Sequence, residues 1–381
     1  MKRVFIPNRG EIALRIVRAC RELDLESVVG CSDIDRDGLA ARAADDVVTI
    51  GPAPAAQSYL RDDVIVHAAL ATKCDAIHPG YGFLSENPRL AARARDSGLT
   101  WVGPPPGVME LAGDKLRARE EAEKAGVPVL PGHQIDITAA RHVEVQIAAD
   151  DEGHVVHLGE RDCSVQRRYQ KVIEEAPAPA LPDPTRQALR EAAVALARAI
   201  DYRNLGTVEF VVDSDSGEFY FLEINCRIQV EHPVTEEVTG RDLVKLQLRI
   251  ADGKRLPFTQ DEVVLKGHAI ECRLNAEDVA HGFRPSPGTL VLFAVPDLEP
   301  LRVDTHCHPG TTVPPYYDSL LAKLIAHRDD REQAIDLLLE ALEDLDVDGV
   351  ETNRSLLVSV LGHPDFRAGT VTTDWLERVM A

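Results

Sequence analysis

The sequence predicts a protein of mixed α/β and α+β class, with an N-terminal doubly wound parallel sheet followed by a β-rich core and a C-terminal β-rich α+β unit. Short apolar runs alternate with helical or loop-like segments over the first hundred residues. Alternating apolar and polar residues then begin abruptly at RHVEVQIAAD, which is typical of an antiparallel strand. At 381 residues the chain is long enough for two or three domains.

Composition limits the classes of partner. The formal net charge of −21 argues against nonspecific binding to nucleic acid or to an anionic membrane surface. No apolar stretch approaches the ~20 residues needed to span a bilayer, and the start MKRVFIPNRGEIALRI lacks the apolar region of a signal peptide. The seven cysteines are scattered without a CxxC pair, so we expect them to be reduced packing residues. These features predict a cytoplasmic protein.

The N-terminal elements follow a strand and helix alternation. RVFIP precedes a helix from about Gly10 to Arg21, whose apolar positions share one face. SVVGC, DVVTI, DAIHP and LTWVGP are predicted as further strands, and turns such as NRG and HPGYG follow them, where open α/β sheets bind ligands. No GxGxxG follows the first strand, which disfavours a nicotinamide site. Asp114 is predicted to cap a helix with Lys115 in its first turn, where a cation gains nothing from the helix dipole.

The rest of the chain is organised around EFYFLEINCRIQVEHPVTEE, residues 218–237. Its apolar run predicts a strand, at whose end Glu223 and Asn225 project to the same side. The preceding strand, GTVEFVVD, carries Glu209, and a Ser/Asp/Gly turn separates the two. The hairpin could therefore gather these three oxygen ligands around one Mg²⁺. The alternative is that the carboxylates are solvated residues at the rim of a sheet.

Polar residues continue beyond that hairpin. Arg227, Gln229 and Glu231 alternate, and they offer a fixed cation, a neutral amide and a possible base. Further helices are predicted at about residues 184–200, within GRDLVKLQLRIADG, and near residues 331–345 and 353–361, with β-rich sequence from about residue 256. A zinc site at THCHPG is disfavoured because adjacent strand residues face opposite sides and no fourth ligand is near.

With these segments in place, the chain resembles biotin carboxylase, the ATP-grasp component of biotin-dependent carboxylases such as acetyl-CoA carboxylase of fatty acid biosynthesis. The resemblance extends over nearly the whole length. It rests on nine motifs in family order, NRGEIALRI, HPGYGFLSEN, GDK, RHVEVQ, ERDCSVQRRYQKVIEEAPAP, EFYFLEINCRIQVEHPVTE, GHAIECRLNAED, FRPSPGTL and TVPPYYDSLLAKLI. It implies a pre-ATP-grasp Rossmann-like N-terminal domain (1–112), a linking helix (113–132), a short joint (133–140), an ATP-grasp core (141–254) and a biotin carboxylase C-terminal domain (255–381).

The resemblance also implies an activity, namely ATP- and bicarbonate-dependent carboxylation of biotin N1 through carboxyphosphate, with Mg²⁺ or Mn²⁺. At matching positions it implies metal ligation by Glu209, Glu223 and Asn225, bicarbonate binding by Arg227, Gln229 and the backbone of Val230, and proton abstraction by Glu231. It further implies nucleotide or phosphate contacts from Lys115, His142, Gln166 and Lys171, and stabilisation of the biotin enolate by Arg302. The alternatives without a catalytic role are that Arg302 forms a surface ion pair and that Lys171 is a charged residue on an edge strand, where it prevents pairing with another strand.

The sequence departs from the family pattern in two places. Tyr169 stands in RRYQK where many members carry histidine, so nucleotide affinity is expected to change. Between Gly132 and Arg141, members carry a small lid domain with a glycine-rich loop, a second ATP lysine and an adenine-contacting segment, none of which is present here. Either the chain lacks the lid, which we favour, or the numbering runs continuously across it. A true deletion is expected to keep a folded core with little carboxylation.

Partners and competing functions follow from the same comparison. We expect a biotin carboxyl carrier on another chain or domain, since the sequence ends without a biotinylation motif. The resemblance also implies a carboxyltransferase component and a homodimer. One alternative is a noncatalytic docking scaffold of a carboxylase complex, which a pull-down without ATPase activity would support. Another is an ATP-grasp ligase that forms an acyl phosphate, which product analysis with labelled bicarbonate would separate. The downstream acyl-CoA or keto acid is not predicted.

Overall fold

The N-terminal region forms a parallel sheet with helices around it. The computed structural model describes residues 1–130 and 139–380. In that part of the chain the first sheet has the order β3-β2-β1-β4-β5 and is parallel throughout. Its strands are β1 (Arg3–Ile6), β2 (Glu26–Ser32), β3 (Asp46–Gly51), β4 (Ala76–Ile77) and β5 (Thr100–Trp101). The doubly wound prediction is confirmed, because the chain moves outward from β1 in both directions.

The helices of this region follow their apolar patterns. They are α1 (Gly10–Glu22), α2 (Leu39–Ala43), α3 (Asp62–Ala71), α4 (Pro88–Asp96), α5 (Pro106–Gly113) and α6 (Lys115–Lys124). Helix α1 buries Ile12, Ile16 and Val17 against the sheet, as its periodicity predicts. The carboxylate of Asp114 accepts hydrogen bonds from two backbone N–H groups at the start of α6, so the predicted cap is confirmed.

A large antiparallel sheet forms the centre of the molecule. Among the described residues its strand order is β10-β9-β6-β7-β8-β11-β18-β16. The strands are β6 (Ala140–Ala149), β7 (Val155–Arg167), β8 (Gln170–Ala176), β9 (Asn204–Asp213), β10 (Phe219–Asn225), β11 (His268–Asn275), β16 (Leu301–Thr305) and β18 (Leu320–Arg328). Strand β8 of the predicted ATP-grasp core pairs with β11 of the predicted C-terminal domain, so the sheet includes strands from both sides of the predicted boundary between residues 254 and 255. The core and the C-terminal region therefore share one sheet, and the domain boundaries themselves stay a prediction.

The remaining elements cover this sheet or extend it at the edges. In the core they are α7 (Asp183–Ala199), α8 (His232–Thr239) and α9 (Leu243–Ala251). In the C-terminal region the short strands are β12 (Glu277–Asp278), β13 (Arg284–Pro285), β14 (Gly288–Thr289), β15 (Leu292–Ala294), β17 (Thr312–Val313) and β19 (Asp346–Asp348). The helices there are α10 (Arg331–Glu343), α11 (Arg354–Gly362), α12 (Pro364–Arg367) and α13 (Trp375–Met380). The predicted joint at 133–140 lies outside the described residues except for Ala139 and Ala140.

The predicted hairpin is formed by β9 and β10. The strands pair antiparallel, with Glu223 directly opposite Glu209 and Asn225 opposite Thr207. The register shifts between Phe221 and Glu223, which marks a bulge in β10. Directly opposite residues of an antiparallel pair have side chains on the same face of the sheet. The two glutamates therefore approach each other from neighbouring strands, as the sequence predicts.

The sequence prediction also covers the cysteines and the apolar helices. All seven cysteines are buried and unpaired, as predicted for packing residues. In the described part of the chain, no helix combines the length and the apolar character needed to cross a bilayer.

Glu175 on β8 forms a buried ion pair that ties the sheet to α10. Its carboxylate accepts hydrogen bonds from Arg331 Nε and Nη2 at 2.6 and 3.0 Å, and it pairs with His268 Nε2 at 2.7 Å. Burial raises the pKa of Glu175, but the hydrogen bonds from His268 and Arg331 outweigh it and lower the pKa to about 2. The ionised pair therefore contributes to the stability of the folded state.

We expect this pair to make the protein sensitive to acid. Because the folded-state pKa lies below the usual value of 4.5, its contribution is complete above that pH and is lost as the pH falls towards 2. The midpoint urea concentration for unfolding should decrease over this interval, and it should decrease less steeply in Glu175→Gln. Equal slopes in the two proteins would show that Glu175 does not carry the effect.

Candidate functional site

An open cavity of about 1060 Å³ lies beside the β9–β10 hairpin. It is bounded by the large sheet, by the segment that joins β10 to α8, and by C-terminal residues that include Arg273 and Asn275. The cavity brings together the predicted site residues Lys115, His142, Gln166, Lys171, Glu209, Glu223, Asn225, Arg227, Gln229, Val230 and Glu231. Arg302 is described but is not among the lining residues. The sequence prediction therefore converges on one place, with one exception.

Lys171 is the cation at the centre of this cavity. Its ammonium donates to Glu144 Oε2 and Glu231 Oε1, each at 2.6 Å, and to Glu209 Oε1 at 3.2 Å. Burial lowers the pKa of Lys171, but the surrounding acids outweigh it and hold the pKa well above its usual value. The side chain is therefore a permanent positive charge, and its three carboxylate partners exclude the strand-edge interpretation.

Glu144 on β6 and Arg161 on β7 complete the charge pattern, although the sequence prediction missed both. Arg161 is fully buried, and its guanidinium donates to Glu144 Oε1 at 2.6 Å. Its other hydrogen bonds reach Gln146, Thr207, Gln229 and Thr235. Burial raises the pKa of Glu144, but Lys171 and Arg161 outweigh it and lower the pKa to about 2. The positions of Glu144 and Arg161 inside the strand-like segments RHVEVQ and GERDCSVQ could have indicated a buried ion pair, because a charge buried in a sheet needs a partner.

Glu209 lies at the centre of the oxygen-rich side of the cavity. It pairs with His142 Nε2 at 2.7 Å and accepts hydrogen bonds from Asn225 Nδ2 at 2.8 Å and Gln229 Nε2 at 2.9 Å. Burial raises its pKa, but Lys171 and His142 reverse the shift and lower the pKa strongly. Ligand atoms of His142, Glu144 and Glu209 all lie within 4.8 Å of one another. Glu209 is therefore an ionised acceptor within reach of several ligand groups.

Glu223 faces Glu209 but is not neutralised. Among the described residues its carboxylate has no hydrogen bond or ion pair. Burial and the charge of Glu209 raise its pKa, while Lys115 acts in the opposite direction. Two carboxylates that face each other in a partly buried site repel unless a cation lies between them. The donor set of Glu209, Glu223 and Asn225 therefore fits a hard cation such as Mg²⁺.

The segment between β10 and α8 presents Arg227 and Gln229 to the cavity. Arg227 donates to Glu86 Oε2 and to Asn225 Oδ1, each at 3.0 Å. The Gln229 amide oxygen accepts a hydrogen bond from Arg161 at 2.6 Å, so its NH₂ group faces the acids. The guanidinium and the amide are thus held by neighbours, and both residues line the cavity.

Glu231 is held between two cations. Lys171 Nζ donates to Oε1 at 2.6 Å, and Arg273 Nη2 donates to Oε2 at 2.9 Å. Burial raises the pKa of Glu231, but Lys171, Arg273 and Arg161 together lower it below the usual value. Glu231 is therefore ionised and oriented, as a carboxylate that accepts a proton must be. Arg273 was not predicted, because it lies on β11 and far from Glu231 in the sequence.

Arg302 lies in a separate ion-pair cluster. Its guanidinium donates to both Asp304 oxygens, at 3.0 and 2.8 Å, and it lies 2.8 Å from Glu236 Oε2. These buried partners show that it is more than a surface ion pair, although Arg302 itself is not among the residues that line the cavity. Its predicted role remains a proposal.

Two other features of the sequence were Tyr169 and the THCHPG segment. Tyr169 is 92% exposed at the turn between β7 and β8, where it lines the mouth of the cavity. Cys307 Sγ lies 3.9 Å from His306 Nε2. In the described part of the chain, neither Cys307 nor His306 belongs to a group of three potential metal ligands whose atoms lie within 4.8 Å of one another.

Comparisons with known proteins identify the family. Residues 1–109 match the biotin carboxylase N-terminal domain, residues 134–259 the ATP-binding domain of the carbamoyl-phosphate synthase L chain, and residues 271–378 the biotin carboxylase C-terminal domain. A biotin carboxylase from Nostoc sp. is 42% identical, with 99% of each chain covered. The rice methylcrotonoyl-CoA carboxylase subunit alpha is 41% identical, covering 99% of this chain and 60% of that protein.

Solved structures agree with these sequence comparisons. The biotin carboxylase domain of 2-oxoglutarate carboxylase from Hydrogenobacter thermophilus is 37% identical and has a TM-score of 0.95. It covers 99% of this chain and 97% of that one, and it was solved as a dimer with MgADP, ADP and bicarbonate. The predicted fold class and family are confirmed. The chain therefore belongs to the biotin carboxylase family, whose members are ATP-dependent ligases.

Proposed function

We propose that the protein carboxylates biotin N1, using ATP, Mg²⁺ and bicarbonate. The observation that carries this proposal is the position of Glu231. It is an ionised carboxylate fixed between Lys171 and Arg273, and it lines the same cavity as an arginine–amide pair suited to a small anion. The ionised Glu209 and the unpaired Glu223 line that cavity as well. One cavity thus offers sites for a base, an anion and a cation.

The cation would be held by Glu209, Glu223 and Asn225. When bound, Mg²⁺ would supply positive charge that offsets the negative charge of the nucleotide phosphates. Lys115, His142 and Gln166 would contact the nucleotide, and all three line the cavity. Lys171 would contact the transferred phosphate, because it is a permanent cation beside the same acids.

The reaction would begin with bicarbonate bound by Arg227, Gln229 and the backbone N–H of Val230. Glu231 accepts the bicarbonate proton while a bicarbonate oxygen forms a bond to the γ-phosphorus and the bond to ADP breaks. Carboxyphosphate then releases CO₂ and phosphate, and the released phosphate accepts the proton of biotin N1 as N1 attacks the CO₂ carbon. Arg302 would stabilise the negative oxygen of the biotin enolate with its fixed charge.

We infer that turnover is slow because the chain lacks residues that its relatives carry. The alignment with the Nostoc protein runs over 442 positions and exceeds the 381 residues of this chain by 61. These extra positions support the proposed lid deletion near residues 133–140. A lid supplies phosphate donors and excludes water, so its loss is expected to reduce turnover by orders of magnitude. Tyr169 at the cavity mouth would change nucleotide affinity further.

The proposed partners follow from the family. We infer that biotin arrives on a carboxyl carrier protein or domain and that a carboxyltransferase component takes the product. A homodimer is also proposed, in line with the dimeric Hydrogenobacter domain. The rice relative is a subunit of methylcrotonoyl-CoA carboxylase, and the Hydrogenobacter domain belongs to a 2-oxoglutarate carboxylase. Family membership therefore leaves the final acceptor open.

Radiolabelled bicarbonate tests the proposed function. Incubated with ATP, Mg²⁺ and free biotin, the protein should transfer acid-labile label to biotin slowly, and Glu231→Gln should reduce the rate by about 10²–10⁴-fold. Glu110→Gln on the exposed face of α5 is the matched control and should retain the rate. Equal rates in Glu231→Gln and the unsubstituted protein would contradict the role of Glu231. Label in an acyl phosphate would instead favour another ATP-grasp ligase.

A further inference from the structure

Lys323 connects three separate parts of the chain beneath the cavity. It lies on β18, and its side chain is fully buried. The ammonium donates to the Val230 carbonyl oxygen at 2.9 Å and lies 3.1 Å from Glu11 Oε1 on α1. Asp304 Oδ2 on β16 lies 3.8 Å away. An N-terminal helix, the segment between β10 and α8, and the C-terminal strands therefore meet at one charge.

Stability alone is a weak explanation for this lysine. Removing an ammonium from water costs several kcal/mol, and an apolar replacement of a complete buried ion pair is often neutral or stabilising. A buried charge that donates to a backbone carbonyl instead fixes the orientation of that peptide. In the described part of the chain, Lys323 is the donor to the Val230 carbonyl.

Val230 lines the cavity within the proposed bicarbonate site. Gln229 and Glu231 flank it, and both side chains are already fixed, by Arg161 on one side and by Lys171 with Arg273 on the other. The backbone between them has its own anchor in Lys323, which approaches from the side of α1 and β18. The Val230 carbonyl belongs to the peptide that joins Val230 to Glu231, so Lys323 fixes the backbone torsion on the carboxyl side of Val230. A change in that torsion would shift Val230 and turn its N–H away from an anion that Arg227 also holds.

We propose that Lys323 is a positioning residue for bicarbonate, because its hydrogen bond to the Val230 carbonyl fixes the backbone conformation of Val230, whose N–H faces the anion. This inference rests on the proposed function, because it assumes that bicarbonate binds beside Arg227 and Gln229. Lys323 acts through Val230 and does not touch the anion. Its loss should weaken bicarbonate binding more than loss of fold stability can explain.

The test measures bicarbonate affinity separately from stability. ¹³C-bicarbonate line broadening in NMR titrations gives the dissociation constant, and thermal unfolding gives the Tm. Lys323→Met should weaken bicarbonate binding at least about tenfold, the effect of losing one hydrogen-bonded contact to a charged group. It should also lower the Tm, because Glu11 loses its cation. The double variant Lys323→Met/Glu11→Gln should recover the Tm without recovering bicarbonate affinity.

Arg331→Met is the matched control, since it removes the cation of another buried ion pair outside the cavity. It should lower the Tm and leave the bicarbonate affinity unchanged. Recovery of bicarbonate affinity together with the Tm in the double variant would overturn the proposal. An equal loss of bicarbonate affinity in Arg331→Met and Lys323→Met would also overturn it. If the unsubstituted protein binds no bicarbonate, the proposed function fails first and this inference fails with it.

Discussion

Inserting the lid segment of a biotin carboxylase relative in place of residues 133–138 should raise ATP-dependent biotin carboxylation by at least about 100-fold. The described residues on both sides of this segment are fixed to the same hairpin. Phe221 N donates to the Pro128 carbonyl at 2.8 Å, and Ser214 N donates to the Ala139 carbonyl at 3.1 Å. Both ends of an inserted domain would thus be anchored beside the cavity, and the domain could supply phosphate donors and exclude water.

Glu231→Gln in the lid-bearing protein is the control for this experiment. It should remove the gained activity, because the lid adds donors and cover but no replacement for the base. Intact-mass measurement of the unsubstituted protein should first return 41.8 kDa, the mass of the 381 residues. A lid-bearing protein that folds, binds ATP and still turns over at the original rate would show that the limiting defect lies in the cavity itself.

Arg161→Met should destabilise the folded protein by about 3–5 kcal/mol. The guanidinium is fully buried and serves five acceptors, so its loss leaves several buried polar groups without a donor. Lys171 would still pair with Glu144, so the site would keep one of its two central cations. Urea denaturation monitored by far-UV circular dichroism measures the change in the free energy of unfolding.

Arg255→Met is the matched control for Arg161. Arg255 pairs with Glu152 at the surface, and its side chain is 70% exposed. An exposed pair contributes little because solvent screens it, so this variant should change the free energy of unfolding by no more than about 1 kcal/mol. A similar loss in both variants would mean that burial of the Arg161 network does not determine its contribution.

Local sequence patterns predict much of this fold. The helical face of α1, the cap at Asp114 and the β9–β10 hairpin depend on residues close in sequence, and all three are present. The facing of Glu209 and Glu223 follows from the hairpin register. Their proposed role with a cation could therefore be formulated before any tertiary contact was known.

The charges that fix the site could not be predicted in this way. Glu231 is held by Arg273, and Val230 by Lys323, from strands that reach the core through the eight-stranded sheet of the described residues. The contacts of Arg273 with Glu231 and of Lys323 with Val230 join residues far apart in the sequence. No local pattern predicts them, because the strands that bring them together, such as β8 and β11, meet only in the folded sheet. Arg302 differs from these residues, because its motif predicts a role at the site whereas in the fold it pairs with Asp304 and is not among the residues that line the cavity.

The transfer of oxygen from bicarbonate to phosphate tests the central claim most directly. The protein, in excess over ATP, is incubated with Mg²⁺, biotin and ¹⁸O-labelled bicarbonate. The phosphate released is analysed by mass spectrometry before the bicarbonate has exchanged its oxygens with water, and the ¹⁸O content of the bicarbonate is measured alongside. Attack of bicarbonate on the γ-phosphorus leaves one bicarbonate oxygen in each phosphate, so we expect one ¹⁸O atom per phosphate formed. Phosphate that carries only oxygen from water would show that ATP is hydrolysed directly and would contradict the proposed carboxyphosphate route.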